Sequence, residues 1–195
     1  MSGKVRVGIL ISGRGSNMAA LIEAARRQDY PAEIAIVISN KADAAGLERA
    51  RAAGVEAIAL SAKAYPDRDA FEAAIDVELR GRGAEVVCLA GFLRILGRTF
   101  VERWQGRMIN IHPSLLPAYK GLHTHERALA DGASEHGCTV HLVTPELDAG
   151  PILAQARVKI LPGDDAETLR ERVLVEEHRI YPLALAELAR GLGDN

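Results

Sequence analysis

Short apolar runs alternate with segments of helical spacing through the first 113 residues of the chain. Val5 to Ile11 is a short apolar run ending in Ser12-Gly-Arg-Gly15, which reads as a strand buried on both faces. From Ser16 to Arg27 the apolar positions Met18, Leu21, Ile22 and Ala25 fall on one stripe, the spacing of an amphipathic helix. Ile34 to Ile38 predicts a second buried strand, Ala45 to Ala53 a helix closed by Gly54, and Glu56 to Leu60 a third strand. A helix starting near Asp67 would bury Phe71, Ile75 and Leu79, and Val86 to Leu89 and Met108 to Ile111 supply two more strands. This rhythm predicts an α/β fold with a Rossmann-like, mostly parallel sheet flanked by helices on both faces.

Beyond Pro113 the pattern loosens into a mixed C-terminal part. Leu115 to Gly121 is a loop bearing proline and glycine, and Thr124 to Ala130 a short helix. Thr139 to Val143 and Ile152 to Ile160 read as strands, divided by the turn Glu146-Leu-Asp-Ala-Gly-Pro151. Asp165 to Arg190 is a long amphipathic helix that Pro182 should kink. The prolines, glycines and histidines from Ser114 to about Ser134 suggest an active-site lid. The whole of 1–195 is expected to be one domain, with a Rossmann-like phosphate-binding half at 1–113 and a second, chemistry-bearing half at 114–195.

The bulk numbers narrow the setting. The 195 residues suit one domain, and 48% hydrophobic with 26% charged residues is ordinary for a soluble protein. A net charge of -2 argues against a general nucleic-acid surface. Cys88 and Cys138 sit in or beside apolar runs and read as reduced core residues. No targeting segment precedes the first strand, and no apolar run approaches the ~20 residues needed to span a bilayer. A cytoplasmic location is expected, with no membrane partner.

The chemistry concentrates at Asn110-Ile-His112-Pro-Ser-Leu-Leu-Pro117. Residues two apart on a strand share a face, so Asn110 and His112 project together, and Pro113 favours an extended backbone at His112. An amide donor beside an imidazole suits chemistry at a carbonyl, one holding an oxyanion and the other handling a proton. Gly13-Arg14-Gly15-Ser16-Asn17, between a strand and a helix, reads as an anion site or as a tight structural turn. A dinucleotide fits it less well than a mononucleotide-type phosphate. Met18 replaces the third glycine of the dinucleotide fingerprint, and the second strand ends in Ser39-Asn40-Lys41 with no acidic residue. Asp148 is either a turn former or a partner whose charge favours the His112 imidazolium. All six histidines follow Asn110; His123 and His125 lack the further ligands a zinc site needs, so no metal is expected. Glu176-Glu177-His178 reads as a solvated helix face unless tertiary placement makes it a binding one. Arg68 at a helix start gains nothing from the dipole, which hints at a ligand-facing role.

Taken together these residues resemble the phosphoribosylglycinamide formyltransferases, the folate-dependent enzymes of purine synthesis. The likeness runs from Ile9-Leu-Ile-Ser-Gly-Arg-Gly-Ser-Asn17 to Glu177-His-Arg-Ile-Tyr-Pro182. Between them lie Ser39-Asn-Lys-Ala-Asp43, Leu89-Ala-Gly-Phe-Leu-Arg-Ile-Leu96, Gly121-Leu-His-Thr-His125 and His136-Gly-Cys-Thr-Val-His141. His-Pro-Ser-Leu-Leu-Pro alone is similar to a wider formyl-folate superfamily that includes methionyl-tRNA formyltransferase and formyltetrahydrofolate deformylase. The Gly-Arg-Gly-Ser-Asn loop, Lys120-Gly-Leu-His-Thr-His125 and the short C-terminal part distinguish the ribonucleotide enzymes within it.

The resemblance implies transfer of a formyl group from 10-formyltetrahydrofolate, a cosubstrate, to the amine of 5-phosphoribosylglycinamide, in a monomer or homodimer and without metal or nucleic acid. It puts the catalytic trio on Asn110, His112 and Asp148. Gly15, Ser16 and Asn17 match the phosphate-holding positions, and Glu177 the one near the substrate amine or ribose. Arg68, the segment Leu93-Arg94-Ile95-Leu96, and Thr144-Pro145-Glu146-Leu147-Asp148 match the folate-facing positions, together with Asn110. Leu93 stands where methionine is common in the family, a conservative change. Two other readings remain at this point: a hydrolase using the same trio with water as acceptor, and a non-catalytic nucleotide- or folate-binding module.

Overall fold

Strand β1 (Val5–Ile11) sends alternate side chains into two separate apolar layers, and the architecture grows from that division. The structure, a computed structural model, describes residues 3–193. Around β1 lie β2 (Ala32–Ser39), β3 (Ala57–Ala59), β4 (Val86–Leu89), β5 (Met108–His112), β6 (Glu135–Leu142) and β7 (Ile152–Lys159) in one sheet, ordered β3-β2-β1-β4-β5-β6-β7. The first five strands run parallel, whereas β6 and β7 are antiparallel additions. This is the expected Rossmann-like sheet with a mixed C-terminal part.

Odd positions of β1 (Val7, Ile9, Ile11) share one layer with Val86, Cys88, Ile109, Ile111, Cys138 and Val140. That layer is covered by helices α1 (Ser16–Ala25), α2 (Ala45–Ala52) and, at the far end of the chain, α6 (Ala166–Gly193). Leu10 joins Ile36, Ile38, Val87, Leu89 and Met108 on the other face, beneath Phe71, Ile75 and Leu79 of α3 (Arg68–Gly81). Phe100 and Val101 of α4 (Arg98–Arg103), with Trp104, complete that layer. The helix α5 (Thr124–Ala130) lies in the expected place before β6.

The local signals act as the sequence implies. Gly54 adopts φ 79° after α2, and the amides of Gly54 and Val55 reach back to the carbonyls of Arg51 and Ala50, the paired bonds of a Schellman motif. Asp67 caps α3, accepting from the Ala70 amide at 2.8 Å. Among the α-helices and strands, two depart most from expectation. The six-residue α4 was not anticipated, because fewer than two turns cannot display a helical period. Strand β6 begins at Glu135 rather than Thr139; its polar and small first residues are recruited by pairing with Lys159 to Ala156, not by their own pattern.

The last helix is 28 residues long and runs through Pro182. Two tyrosines fasten it. The Tyr30 hydroxyl donates to the Pro182 carbonyl at 2.6 Å. The Tyr181 hydroxyl, fully buried, lies 2.9 Å from the Leu89 carbonyl and 3.2 Å from that of Ile109, so α6 is tied to the last residue of β4 and the second of β5. Cys88 and Cys138 are free and buried, and burial pushes both thiols up to about 12, which makes them packing residues.

Removing the Tyr181 hydroxyl would leave two buried carbonyls without that donor. Tyr181→Phe is expected to lower unfolding stability by about 1–3 kcal/mol with the core volume unchanged. Equilibrium denaturation in urea checks this, and an unchanged midpoint would contradict the fastening role.

Candidate active site

The site residues gather at the carboxyl ends of β1, β4 and β5, where the strand order reverses between β1 and β4, the edge at which open α/β sheets hold ligands. After β1 the chain turns through Ser12-Gly-Arg-Gly15 into α1. Gly15 has φ 70°, and a Cβ there would meet Met18 Cε at 2.9 Å and Gly46 Cα at 3.0 Å. Glycine is therefore required by both backbone angle and space. No side chain caps α1, so the first amides of the helix, at Ser16 and Asn17, have no partner within it. That arrangement suits an anion.

Ser12 ties this loop to its neighbours. Its hydroxyl donates to Asn40 Oδ1 at 2.6 Å and accepts from the Leu93 amide at 2.8 Å, while its own amide reaches the Gly91 carbonyl. The loop after β4, which includes Leu93, is thus held against the loop after β1.

Asn17 and Glu177, far apart in sequence, meet in the buried space between α1 and α6. Asn17 Nδ2 donates to Glu177 Oε2 at 2.6 Å, while Asn17 Oδ1 is buried without a partner. Burial raises the Glu177 carboxyl above its ordinary range, opposed by the Asn17 bond and by Arg170. The three residues Glu176-Glu177-His178 therefore divide. Glu176 pairs with Arg179 at the surface and Glu177 turns inward.

Asn110 and His112 leave β5 on the same face as Met108, beyond the part of that face covered by α3 and α4. Asp148 comes to them from the turn between β6 and β7, with φ 46°. His112 Nδ1 is 3.5 Å from Asp148 Oδ2, and the Gly121 amide donates to the same oxygen at 2.9 Å. On the other side of the ring, His112 Nε2 lies 2.9 Å from the Tyr119 carbonyl. Both ring nitrogens thus face oxygen atoms.

The structure brings Asp148 to His112 and sets Asn110 on the same face of β5, and further groups that the sequence reading did not assign lie beside them. His141 Nε2 lies 3.3 Å from Asn110 Nδ2 and 3.7 Å from Asp148 Oδ1. The Tyr119 carbonyl and the Gly121 amide also enter. Backbone groups leave no residue-type signal, but His141 sits directly opposite Asn110 in the β5–β6 ladder, and strand pairing would have revealed it.

The remaining expected positions lie at the start of α3, in the loop after β4 and in the turn after β6. Arg68 Nε is 3.9 Å from Glu72 Oε1, and the same Glu72 oxygen accepts from the Gly97 amide at 2.8 Å. Burial raises the Glu72 carboxyl, against the pull of that amide and of Arg68. Arg94 lies over the Phe71 ring at 5.2 Å. Leu93 and Ile95 are 66% and 72% exposed, and Leu147 is 52% exposed. Thr144 Oγ1 donates to the Glu146 carbonyl at 3.2 Å, closing the turn that delivers Asp148, with Pro145 exposed between them.

His123 and His125 do not act as a pair. His123 is exposed near Glu126, whereas His125 Nδ1 meets His136 Nε2 at 3.1 Å under the loop, with the Tyr119 ring edge-on to His136. Among the described residues no three His, Cys, Asp or Glu side chains gather as a metal site would require.

From residue 5 to residue 185 the chain matches the formyl transferase family. It belongs to that family. Among curated relatives, phosphoribosylglycinamide formyltransferase of Escherichia coli (strain K12) is 47% identical over 187 residues, covering 96% of this chain and 88% of that protein. The human trifunctional purine biosynthetic protein adenosine-3 is 49% identical over 195 residues; the match covers 98% of this chain but only 19% of that protein. The crystal structure of phosphoribosylglycinamide formyltransferase from Brucella melitensis superposes with a TM-score of 0.92 at 53% identity, covering 95% of this chain and 96% of that one. The formyl transferase fold thus accounts for the sheet, its antiparallel extension and the long final helix. No helix among the described residues is long and apolar enough to cross a membrane.

Burial of His136 beside His125 is expected to make the fold acid-sensitive in a definite direction. Burial, then neighbouring His125, lowers the His136 pKa from 6.5 to about 4. The unfolded chain therefore binds more protons between those values, and stability should fall as pH drops from about 6.5 towards 4. Thermal unfolding at neutral pH and near pH 5 should show a smaller drop in His136→Gln than in the unsubstituted protein. Equal drops would remove His136 as the cause.

Proposed function

We propose that this chain transfers the formyl group of 10-formyltetrahydrofolate to the amine of 5-phosphoribosylglycinamide, a one-carbon step in purine (IMP) synthesis. The observation that carries this reading is the meeting of Asn110, His112 and Asp148 at the same sheet edge as the Gly15–Asn17 helix start. One half of that edge suits a phosphate, and the other suits the oxyanion formed when an amine adds to a formyl carbon.

In this reading the amides of Gly15, Ser16 and Asn17 hold the substrate phosphate, and Glu177 receives its ribose or amine. Arg68, Leu93 to Leu96 and Thr144 to Asp148 receive the folate, with the exposed Leu93, Ile95 and Leu147 offering apolar contact. The amine nitrogen attacks the formyl carbon, and the carbonyl electrons move to oxygen. Asn110 donates to that oxygen. His112, with Asp148 beside it, stabilises the same charge, and the proton shed by the amine passes to the folate nitrogen as its carbon–nitrogen bond breaks. Neither a covalent enzyme intermediate nor a metal is required by this sequence of steps.

The loop from Ser114 to Ser134 takes part. The Tyr119 carbonyl occupies the position in front of His112 Nε2, so presenting that nitrogen to substrate involves displacing Tyr119. We further infer one functional domain, its 1–113 half holding the phosphate and its 114–195 half the folate and the chemistry. The two free buried cysteines are in keeping with a cytoplasmic setting.

Incubation with 10-formyltetrahydrofolate should consume it only when 5-phosphoribosylglycinamide is present, yielding the formylated ribonucleotide. Formate release independent of the ribonucleotide would instead make the protein a hydrolase. His112→Ala and Asp148→Asn should each lower kcat by at least about 10²-fold while substrate binding is largely kept. Near-normal turnover in both variants would remove the trio from the mechanism.

A further inference from the structure

Asn110 and His141 stand directly opposite each other in the antiparallel β5–β6 ladder, so their side chains leave the sheet on one face. On its other side β6 pairs with β7 through a register shift between Val140 and His141, an irregularity of the kind that re-aims a side chain beside a site. The ring is buried, at 2% exposure. Its Nδ1 lies 2.9 Å from the Leu142 carbonyl oxygen. A carbonyl can only accept, so Nδ1 carries the proton and Nε2 of the neutral ring is a lone pair. That lone pair faces Asn110 Nδ2 at 3.3 Å. The Asn110 carboxamide therefore donates one N–H to His141 and keeps the other free. Turning the amide over would set its oxygen against the lone pair.

The titratable groups facing the ring are His112 from β5 and Asp148 from the β6–β7 turn. Burial lowers the imidazole pKa and His112 acts in the same sense, against the Leu142 carbonyl and Asp148. A neutral His141 has no proton to offer Asp148 Oδ1, 3.7 Å from Nε2, which leaves that carboxylate to His112 and the Gly121 amide.

We propose that His141 is a positioning residue for formyl transfer: its Nδ1–H tautomer locks the Asn110 carboxamide so that the second N–H is presented to the oxyanion. The inference rests on the function proposed above. It does not make His141 a catalytic residue, since its contacts are with Asn110 and not with the reacting atoms.

The test compares His141→Ala with His141→Gln, whose side-chain oxygen restores an acceptor near the place of Nε2. In His141→Ala, kcat should fall about 10- to 100-fold, the scale on which misplacement of a reacting-site group acts, with KM for both substrates changed by less than about threefold. His141→Gln should recover most of the lost kcat. An unchanged kcat in His141→Ala, or a loss that Gln does not restore although the variant melts like the parent, overturns the proposal. Nitrogen-15 NMR of the unsubstituted protein supplies an arm independent of turnover and of variant folding. The His141 ring should be the neutral Nδ1–H tautomer at pH 7, and its Nε2 resonance should shift in Asn110→Ala. An Nε2–H tautomer overturns the proposal. Absence of formyl transfer by the unsubstituted protein would instead sink the functional reading, and the two failures are thereby separable.

Discussion

Pairing of β5 with the antiparallel β6 is the constraint on which the rest of the site depends. A parallel neighbour on that side would need a crossover helix, and such a helix would cover the face from which Asn110 and His112 project. Here β6 returns through a loop and a short helix instead, and the apolar layer on that face stops at Met108. The uncovered strip beyond it carries Asn110 and His112 on one strand and His141 and Thr139 on the other. Thr139 is spent on structure: its hydroxyl donates to the Ser114 carbonyl at 2.7 Å and accepts from the Leu116 amide at 3.1 Å. One ladder thus sets the polar pair, its neighbour and the start of the loop that closes over them.

The opposite layer supplies the second half of the site by a different physical route. There α6 crosses beneath the sheet and is fixed by the buried Tyr181 hydroxyl. Glu177 lies one helical turn before Tyr181, on the same side of α6, and the helix thereby carries a carboxylate into the space above α1. Burying a carboxyl against one amide costs free energy unless something charged or hydrogen-bonding completes its surroundings. The partnerless Asn17 Oδ1 beside it is a second sign that this space is shaped for a polar ligand rather than for stability.

How much of this was legible in the sequence varied with the distance over which each feature is specified. Strands β1 and β4 and the stripe of α3 were readable because their signals are local: a burial run, an alternation or a helical period. Asn110 and His112 were readable for the same reason, since a period of two needs no knowledge of the partner strand. Asp148 was different. Its approach depends on a turn with φ 46° and on the course of two later strands, and only resemblance to a family singled it out from an ordinary turn aspartate. Glu177 needed the packing of α6 on α1, which no window of sequence contains. His141 lay in a motif that was noticed, yet its role depends on which residue it opposes, and register across a 31-residue separation is not a local property.

In the proposed transfer, the arrangement of these groups also gives His141 a place beside the trio. Asn110 bears two amide hydrogens and one oxygen, and a carboxamide with no fixed partner presents either end to a forming oxyanion. One end is productive, and the other sets oxygen against oxygen. Strand geometry fixes where the amide is but not which way it faces. A lone pair fixed on the opposite strand resolves that choice before any substrate binds, because the Leu142 carbonyl determines the tautomer and the tautomer determines the amide. Preorganisation of this kind lowers the cost of reorganising dipoles as charge develops. The same neutral ring leaves Asp148 to its partners His112 and Gly121. In the proposed reaction a histidine outside the trio thereby constrains two of its members, Asn110 and Asp148, through one backbone carbonyl.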